Sequence, residues 1–229
     1  MKTLTTLFLT LVLCTVAYAQ DNQVTKFLGI PIDGTKSGMI QKLRAKGFTY
    51  NSSTEGLEGT FNGERVTLYV VTNNSKVYRI AVIPKQSWDE GQIKIKYNNQ
   101  LSQFIDNGKY CLLSHDSIDN VDLDYQMFVK NEVFQTAMIQ LPGSINDPTF
   151  RKKVEDAYLS NFKSSTLDKE YESITNMDNP EIFDIACMLY ARNYRDNIVW
   201  FTIDREGYNR YRLLIYYDNM KNKAHGEDL

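Results

Sequence analysis

The spacing of apolar residues near the start of the mature chain predicts one short helix. Met39, Ile40 and Leu43 recur at helical spacing. Thr35 precedes them and is a residue type that often caps a helix, and Gly47 stands where a helix commonly ends in the left-handed conformation. The pattern therefore predicts a helix between these two residues.

Three short segments after this helix have the residue types of β-strands. They cover 57–61, 65–71 and 77–83. Asn62-Gly63 between the first two is a strong hairpin signal, because both residues readily adopt positive φ. In 65–71, one face of the predicted strand is apolar and the other face also carries Tyr69 and Val71. This pattern predicts a central strand with both faces at least partly covered.

A second amphipathic helix is predicted over 87–105. Its apolar positions follow the i, i+4, i+8, i+11, i+12 spacing: Ile93, Tyr97, Leu101, Phe104 and Ile105. Ser87 with Glu90 three residues later matches a capping box, so we expect the helix to begin at Ser87.

Two alternating runs then predict an antiparallel hairpin. The first covers 121–129 and the second 133–141, and the three residues 130–132 join them. In the first run, Asp122 and Asp124 alternate with apolar residues, so we expect these carboxylates on a solvated strand face.

The last third of the chain repeats the order of helices followed by strands. Asp147-Pro148 and Asn179-Pro180 each predict the start of a helix. Two strands over 198–204 and 211–217, joined by a turn at Glu206-Gly207, close the chain. The order predicts an α+β fold of antiparallel sheets with helices packed on one face. We expect two closely packed halves, 20–142 and 143–229, because no flexible linker separates them.

Residues 1–19 have the pattern of a cleaved signal peptide. Met1-Lys2 is followed by an apolar stretch, and Ala17-Tyr18-Ala19 is a small-x-small cleavage site. Lipid attachment at Cys14 is the less favoured alternative, since Leu13 stands where a small residue is expected. We therefore expect a secreted or periplasmic protein that begins at Gln20.

Composition narrows the possible classes of protein. Of 229 residues, 42% are hydrophobic and 24% are charged, as in ordinary globular proteins. The net charge of −2 argues against a nucleic-acid binder. Outside the N-terminus no apolar run is long enough to span a bilayer, which argues against a membrane span in the mature chain.

Two cysteines remain after cleavage, Cys111 and Cys187. Two interpretations stay open: one disulfide, formed in an oxidising compartment, or two buried thiols. Cys187 lies among Ile185, Ala186 and Leu189 on an apolar helix face, which favours the buried thiol.

The chain resembles small secreted proteins of unknown function from Gram-negative gut bacteria. The resemblance rests on a few short stretches: Gly29-Ile30-Pro31-Ile32, Gly34-Thr35-Lys36, Lys46-Gly47-Phe48, Leu57-x-Gly59-x-Phe61, Tyr216-Tyr217-Asp218-Asn219 and Gly226-Glu227-Asp228-Leu229. The order of elements is also similar to β-lactamase-inhibitor-protein-like modules. Neither resemblance implies catalytic residues, and a shared architecture does not fix function.

No motif for catalysis, metal binding or a cofactor stands out. The stretch from Gly29 to Ser37 departs from a phosphate-binding loop, because Thr35 separates the second glycine from Lys36. The acidic cluster Asp116, Asp119, Asp122 and Asp124 lacks the glycine of a calcium loop. His115, four residues after Cys111, and His225 have no recognisable ligand or nucleophile partners. We predict no catalytic residue, metal or cofactor.

The last hairpin carries the only predicted binding residues. Alternation along its two strands places Trp200, Arg212 and Tyr216 on one face, and these are residue types enriched at binding hot spots. The alternative is that this face is the covered second side of the sheet. We expect a non-enzymatic protein that binds another protein or a glycan. An uncharacterised hydrolase-type enzyme and a structural envelope component are the alternatives.

Overall fold

The computed structural model describes residues 24–160 and 175–223, which form one eight-stranded antiparallel sheet, a two-stranded hairpin and several helices. The hairpin consists of β1 (Lys26–Phe27) and β2 (Ile30–Pro31). The sheet strands are β3 (Thr49–Asn51), β4 (Gly56–Phe61), β5 (Glu64–Asn73), β6 (Lys76–Pro84), β7 (Tyr110–His115), β8 (Gln135–Gln140), β9 (Asn197–Gly207) and β10 (Arg210–Asn219). The helices are α1 (Lys36–Ala45), α2 (Glu90–Asn107), α3 (Pro148–Leu159) and α4 (Pro180–Ala191). The predicted α+β class is confirmed.

The strand order of the sheet mixes early and late parts of the chain. It runs β3-β4-β5-β6-β10-β9-β8-β7, so β10, the last strand, lies between β6 and β9. Strands from both sides of residue 142 therefore share one sheet. The division of the chain into 20–142 and 143–229 stays a prediction.

One face of the sheet packs against α1 and α2. The largest core cluster joins apolar residues of β4 to β6 and β8 to β10 to Met39 and Leu43 of α1 and to Ile93, Tyr97 and Phe104 of α2. This burial of a continuous apolar face provides most of the driving force for folding.

The opposite face packs against α3 and α4 at one end only. Cys111 of β7 and Ile139 of β8 form a second core cluster with Phe150 and Val154 of α3 and Phe183 of α4. Helices therefore lie on both faces of the sheet, and not on one face as the order of elements predicted, because β7 and β8 present a second apolar surface. Within the described residues, this second cluster does not extend across the face to Trp200 and Tyr216, which are half-buried.

The predicted N-caps of three helices are confirmed. Thr35 accepts a hydrogen bond from the backbone N–H three residues later, at 3.2 Å. The carboxylate of Asp147 accepts from the N–H of Thr149 at 2.8 Å, and the amide oxygen of Asn179 accepts from the N–H of Glu181 at 3.0 Å. Each cap satisfies a backbone donor that the first helical turn leaves unpaired.

The predicted start of α2 at Ser87 is wrong. Asp89 is the N-cap and accepts from the N–H of Gln92 at 2.8 Å. Trp88 exchanges two backbone hydrogen bonds with Tyr211, at 2.8 and 2.9 Å, which holds the chain extended up to that point. Among the apolar positions predicted for this helix, Ile105 near its C-terminal end is exposed. The other predicted positions face the core.

The predicted hairpin of 121–129 with 133–141 is wrong in its first strand. The second strand is confirmed as β8, but its partner is β7, and Tyr125–Val129 forms one turn of π-helix. Asp122 accepts a hydrogen bond from the N–H of Tyr125 at 2.9 Å, a local bond that favours a turn over an extended strand.

The final hairpin is confirmed in its strands, β9 and β10, but not in its turn. The chain reverses at Tyr208-Asn209, with Asn209 at φ 47°, instead of at Glu206-Gly207. Asparagine tolerates this left-handed conformation better than most residues, so Asn209 is a suitable residue for the turn.

Cys111 and Cys187 are both free and buried in the second core cluster. This confirms the interpretation as buried thiols. Burial raises the pKa of Cys187 to about 12, so its thiol stays protonated at neutral pH.

Gly47 gives a test of the end of α1. It adopts φ +95°, and a Cβ would meet no atom within 4 Å, so strain in the backbone is the only cost of a side chain. We expect Gly47→Ala to lower the free energy of unfolding by about 1 kcal/mol. Gly91→Ala is the matched control: Gly91 lies in the first turn of α2 without positive φ, so alanine should be neutral or stabilising. Equal losses in both denaturation curves would contradict the strain argument.

Candidate interaction surfaces

Trp200 and Tyr216 form a stacked pair on the second face of the sheet. They are directly opposite each other on β9 and β10, and their ring centroids are 4.1 Å apart at an interplanar angle of 19°. Both side chains are half-buried. The sequence-predicted pair is therefore assembled, with the two ring faces turned towards each other.

A buried ion pair lies beside these rings. Arg79 of β6 makes a bidentate contact with Asp218 of β10, at 2.6 and 2.7 Å, and the indole N–H of Trp200 donates to the same carboxylate at 3.0 Å. The guanidinium of Arg79 lies 5.2 Å from the Trp200 ring centroid and 4.9 Å from that of Tyr216. Asp218 is only 2% exposed, so the carboxylate that holds Arg79 and Trp200 is buried within the protein.

Arg212 lies on the same face but belongs to a separate cluster. It donates to Asp204 at 3.2 Å. The buried pair Leu214 and Thr202 stands between it and the Trp200–Tyr216 stack. Four residues along a strand correspond to about 13 Å, so the three predicted residues share a face without converging on one point.

A more exposed apolar surface lies where β8 begins and the β9–β10 hairpin ends. Phe128 is 72% exposed and Tyr208 is 84% exposed. We call this surface the apolar tip; its members are all exposed and apolar or aromatic: Tyr125, Phe128, Val129, Val133 and Tyr208. A concentration of large apolar side chains in water is unusual for a monomer and often marks an interaction site.

Arg205 holds the apolar tip together. Its guanidinium pairs with Asp124 at 2.6 Å and lies 4.9 Å from the Phe128 ring centroid. The other oxygen of Asp124 accepts from the backbone N–H of Asn209 at 3.0 Å, next to Tyr208. The π-helical turn and the hairpin end are thus fixed to each other.

Sequence reasoning missed the apolar tip because its residues alternate like a strand. The alternation over 121–129 predicts a strand, whereas the π-helical turn leaves Tyr125, Phe128 and Val129 exposed. A short π-helix is itself rare and is frequent at functional sites. The aspartates before the turn were the only available signal.

The pH dependence of Asp124 tests this geometry. Burial alone would raise the pKa of Asp124, but the hydrogen bonds from Arg205 and from the N–H of Asn209 hold the pKa below its usual value. A lowered pKa means that the ion pair stabilises the tip at neutral pH and is lost as the pH falls through the folded-state pKa. We expect the Asp124 carboxyl to titrate below its ordinary range by carbon-13 NMR and to return towards that range in Arg205→Gln. An unchanged midpoint in that variant would contradict the pairing.

The acidic residues and histidine considered for metal binding lie apart. Asp116 accepts from the N–H of Gln135, and Asp119 accepts from the side-chain amide of Asn98. His115 stacks on Tyr97, whereas Cys111 packs in the cluster on the other face of the sheet. Among residues 24–160 and 175–223, no three His, Cys, Asp or Glu side chains come together as a possible metal site. His225 and the whole of the predicted signal peptide lie outside the described residues.

A cleft of about 710 Å³ opens at the opposite end of the first sheet face. Tyr110, Gln140 and Asn197 are among its lining residues. No carboxylate, histidine or cysteine occurs among the described residues that line it, so it lacks the side chains that most often act as general acid or base.

The fold and these surfaces define an α+β protein built on a single large antiparallel sheet with helices on both faces. None of the described helices combines the length and apolar character needed to cross a membrane. No known family model, curated protein or solved structure matches the chain.

Proposed function

We propose that this protein is an exported, non-enzymatic binding protein that takes a protein partner at the apolar tip. The observation that carries the proposal is the exposure of five large apolar side chains on the π-helical turn, at the start of β8 and at the end of the hairpin, which Asp124 and Arg205 connect. Burying such a group against a partner removes apolar surface from water, which is the dominant favourable term in most protein–protein association.

The chemistry of the tip favours a protein over a glycan. Two of its five residues are valines, which offer nothing to sugar hydroxyls. The charge of Arg205 is paired with Asp124, so these two residues add no net charge to the surface. Aromatic and other apolar side chains are typical of the core of a protein–protein interface.

Export is part of the proposal and rests on the sequence. Residues 1–19 have the order of a signal peptide, with the expected cleavage after Ala19. An exported protein meets partners in the envelope or outside the cell. The resemblance to secreted proteins of Gram-negative gut bacteria agrees with this location.

The face of Trp200, Arg212 and Tyr216 is the second candidate surface. Its half-exposed aromatic and arginine side chains are residue types enriched at hot spots. Against it, the ring faces and guanidinium groups already bind one another. Stability measurements on variants of Trp200 and Tyr216 separate a role in binding from a role in the stability of the sheet.

The native size of the protein tests the proposal. In detergent-free extracts of the native envelope fraction, analysed by size-exclusion chromatography with immunodetection, the wild-type chain should elute in a complex larger than the monomer. The double variant Phe128→Asp, Val133→Asp places two charges in the centre of the contact and should elute as the monomer.

Ile95→Asp is the matched control, since Ile95 is an exposed isoleucine on α2, away from the tip. It should elute with the wild-type protein, and all three proteins should have similar melting temperatures. Wild-type protein that elutes only as a monomer, or a complex that survives the double variant, would contradict the apolar tip as the binding surface.

A further inference from the structure

A row of polar side chains crosses one end of the first sheet face, which is otherwise apolar. Asn219 is opposite Asn197 on β10 and β9, and Gln140 is opposite Tyr110 on β8 and β7. The register of β8 with β9, in which Ile139 is opposite Ile198, brings Gln140 next to Asn197. Polar groups in such a position are usually there to satisfy hydrogen bonds.

Two members of this row hold the N-terminal segment. The side-chain amide of Gln140 accepts from the backbone N–H of Lys26 at 2.6 Å and donates to its carbonyl at 2.9 Å. The amide of Asn219 donates to the carbonyl of Ile32 at 2.8 Å. The N-terminal hairpin is therefore fixed at the wall of the cleft.

Asn197 lies between these two and is not satisfied in the same way. Its side chain is 3% exposed and lines the cleft, and its Oδ1 accepts no hydrogen bond from the described protein. An unpaired buried acceptor costs about 1–3 kcal/mol, so the site gains when a donor reaches it. That oxygen is shielded from solvent, so a ligand hydroxyl in the cleft pairs with it only after the Asn197 side chain rotates towards the cleft.

Tyr110 supplies a donor in the same cleft. Its hydroxyl accepts from the amide of Gln140 at 3.3 Å and shares a hydrogen bond with the hydroxyl of Tyr217; a hydroxyl can both donate and accept. Burial raises the pKa of Tyr110, so the hydroxyl remains protonated at neutral pH. Donor and acceptor thus occur together, as a ligand rich in hydroxyl groups requires.

The remaining lining indicates the charge and shape of the ligand. Six amide side chains line the cleft, although Gln140 is already bonded to Lys26 and Tyr110, and Asn62 donates to Gln103 at 2.7 Å. The six are Asn62, Gln100, Gln103, Asn107, Gln140 and Asn197. Lys26 and Lys109 are the charged residues of the lining, and no acidic residue accompanies them there among the described residues. Phe104 and Tyr217 add apolar ring surface, against which the C–H groups of a sugar can pack.

From these observations we infer that the cleft binds a sugar acid, that is, a polyhydroxylated ring that carries a carboxylate. A volume of about 710 Å³ is within the range of small-molecule sites and accommodates one or two such rings. The carboxylate pairs with Lys109, and the hydroxyl groups bind the amide side chains and Tyr110. This site is separate from the apolar tip, so either can fail without the other.

Titration of the mature protein with galacturonate tests the inference. Proton–nitrogen NMR of side-chain amides should show saturable shifts at concentrations up to about 10 mM, with galactose and acetate each at least about fivefold weaker. Trigalacturonate distinguishes two possible natural ligands. Tighter binding of trigalacturonate than of galacturonate indicates the end of an acidic polysaccharide. Equal binding of the two indicates a free sugar acid. No saturation by galacturonate, or equal affinity for galactose or acetate, would overturn the inference.

Variants assign the binding to this cleft. Lys109→Gln should weaken galacturonate about fivefold or more and leave the weak galactose response unchanged, whereas Tyr110→Phe should weaken both sugars. Lys153→Gln on the exposed side of α3 is the matched control and should bind as the wild type does. Melting curves verify that each variant is folded. Galacturonate affinity that is unchanged in both Lys109→Gln and Tyr110→Phe would place the site elsewhere and overturn the inference.

Discussion

Replacing Asp218 by alanine is expected to lower the free energy of unfolding by about 3–5 kcal/mol, because it leaves a half-buried guanidinium without its partner. Asp218 is 2% exposed and binds Arg79 through both of its oxygens, and it also accepts the indole N–H of Trp200. The pair connects β6 with β10, where the early and late parts of the chain meet in the sheet. Denaturant unfolding followed by circular dichroism measures the loss.

Asp204→Ala is the matched control for this prediction. Asp204 also pairs with an arginine on the same face of the same hairpin, but the Asp204 side chain is 40% exposed and its closest contact with Arg212 is 3.2 Å. Exposed ion pairs contribute little, so we expect a loss below about 1 kcal/mol. Similar losses in the two variants would show that burial of Asp218 does not determine the stability of the sheet.

Replacing Trp200 by alanine is expected to have the second-largest effect on stability, about 2 kcal/mol or more. Truncation of a fully buried tryptophan typically lowers the free energy of unfolding by about 3–5 kcal/mol. Trp200 is half-buried, so we expect a smaller loss. Its removal deletes the stack on Tyr216 and the hydrogen bond to Asp218. For a chain of this length we expect the melting temperature to fall by about 4–8 °C.

The same melts separate the two candidate surfaces. Phe128→Ala should change the free energy of unfolding by about 0.5 kcal/mol or less, since the Phe128 ring lies mostly in water. Large losses in both Trp200→Ala and Tyr216→Ala would assign the stacked pair to sheet stability. Unchanged melting temperatures in these two variants would favour the face as a binding surface and contradict the structural role expected here.

Local signals in the sequence predicted much of the fold. The caps at Thr35, Asp147 and Asn179 and the hairpin at Asn62-Gly63 depend on neighbouring residues alone, and all four are present. Both residues of that hairpin turn have positive φ. Such features can be read from a sequence because the groups that bind one another lie within a few residues.

Errors arose where a distant contact overrides the local pattern. Ser87 does not cap α2 because Trp88 pairs with Tyr211, more than a hundred residues later. Strand-like alternation around Tyr125 folds as a π-helical turn, held by Asp124 to the far hairpin. The position of β10 between β6 and β9 also depends on contacts that no local pattern records.

The candidate surfaces were likewise predicted where they depend on neighbouring residues and missed where they depend on distant contacts. Alternation placed Trp200, Arg212 and Tyr216 on one face, which the register of β9 and β10 bears out. Arg79 was not predicted beside them because it arrives from β6. The apolar tip and the row containing Asn197 likewise combine strands that are distant in sequence, so they are visible only in the folded chain.

Photocrosslinking from position 128 tests the proposed function most directly. A photoreactive benzoylphenylalanine replaces Phe128 in one protein and the exposed Ile95 in another, and both are irradiated in the native envelope. We expect one crosslinked product of defined mass from position 128, absent from position 95 and lost when Val133→Asp is added. No product from position 128, the same product from both positions, or a product of twice the mass of this chain would contradict the binding of a different protein at the apolar tip.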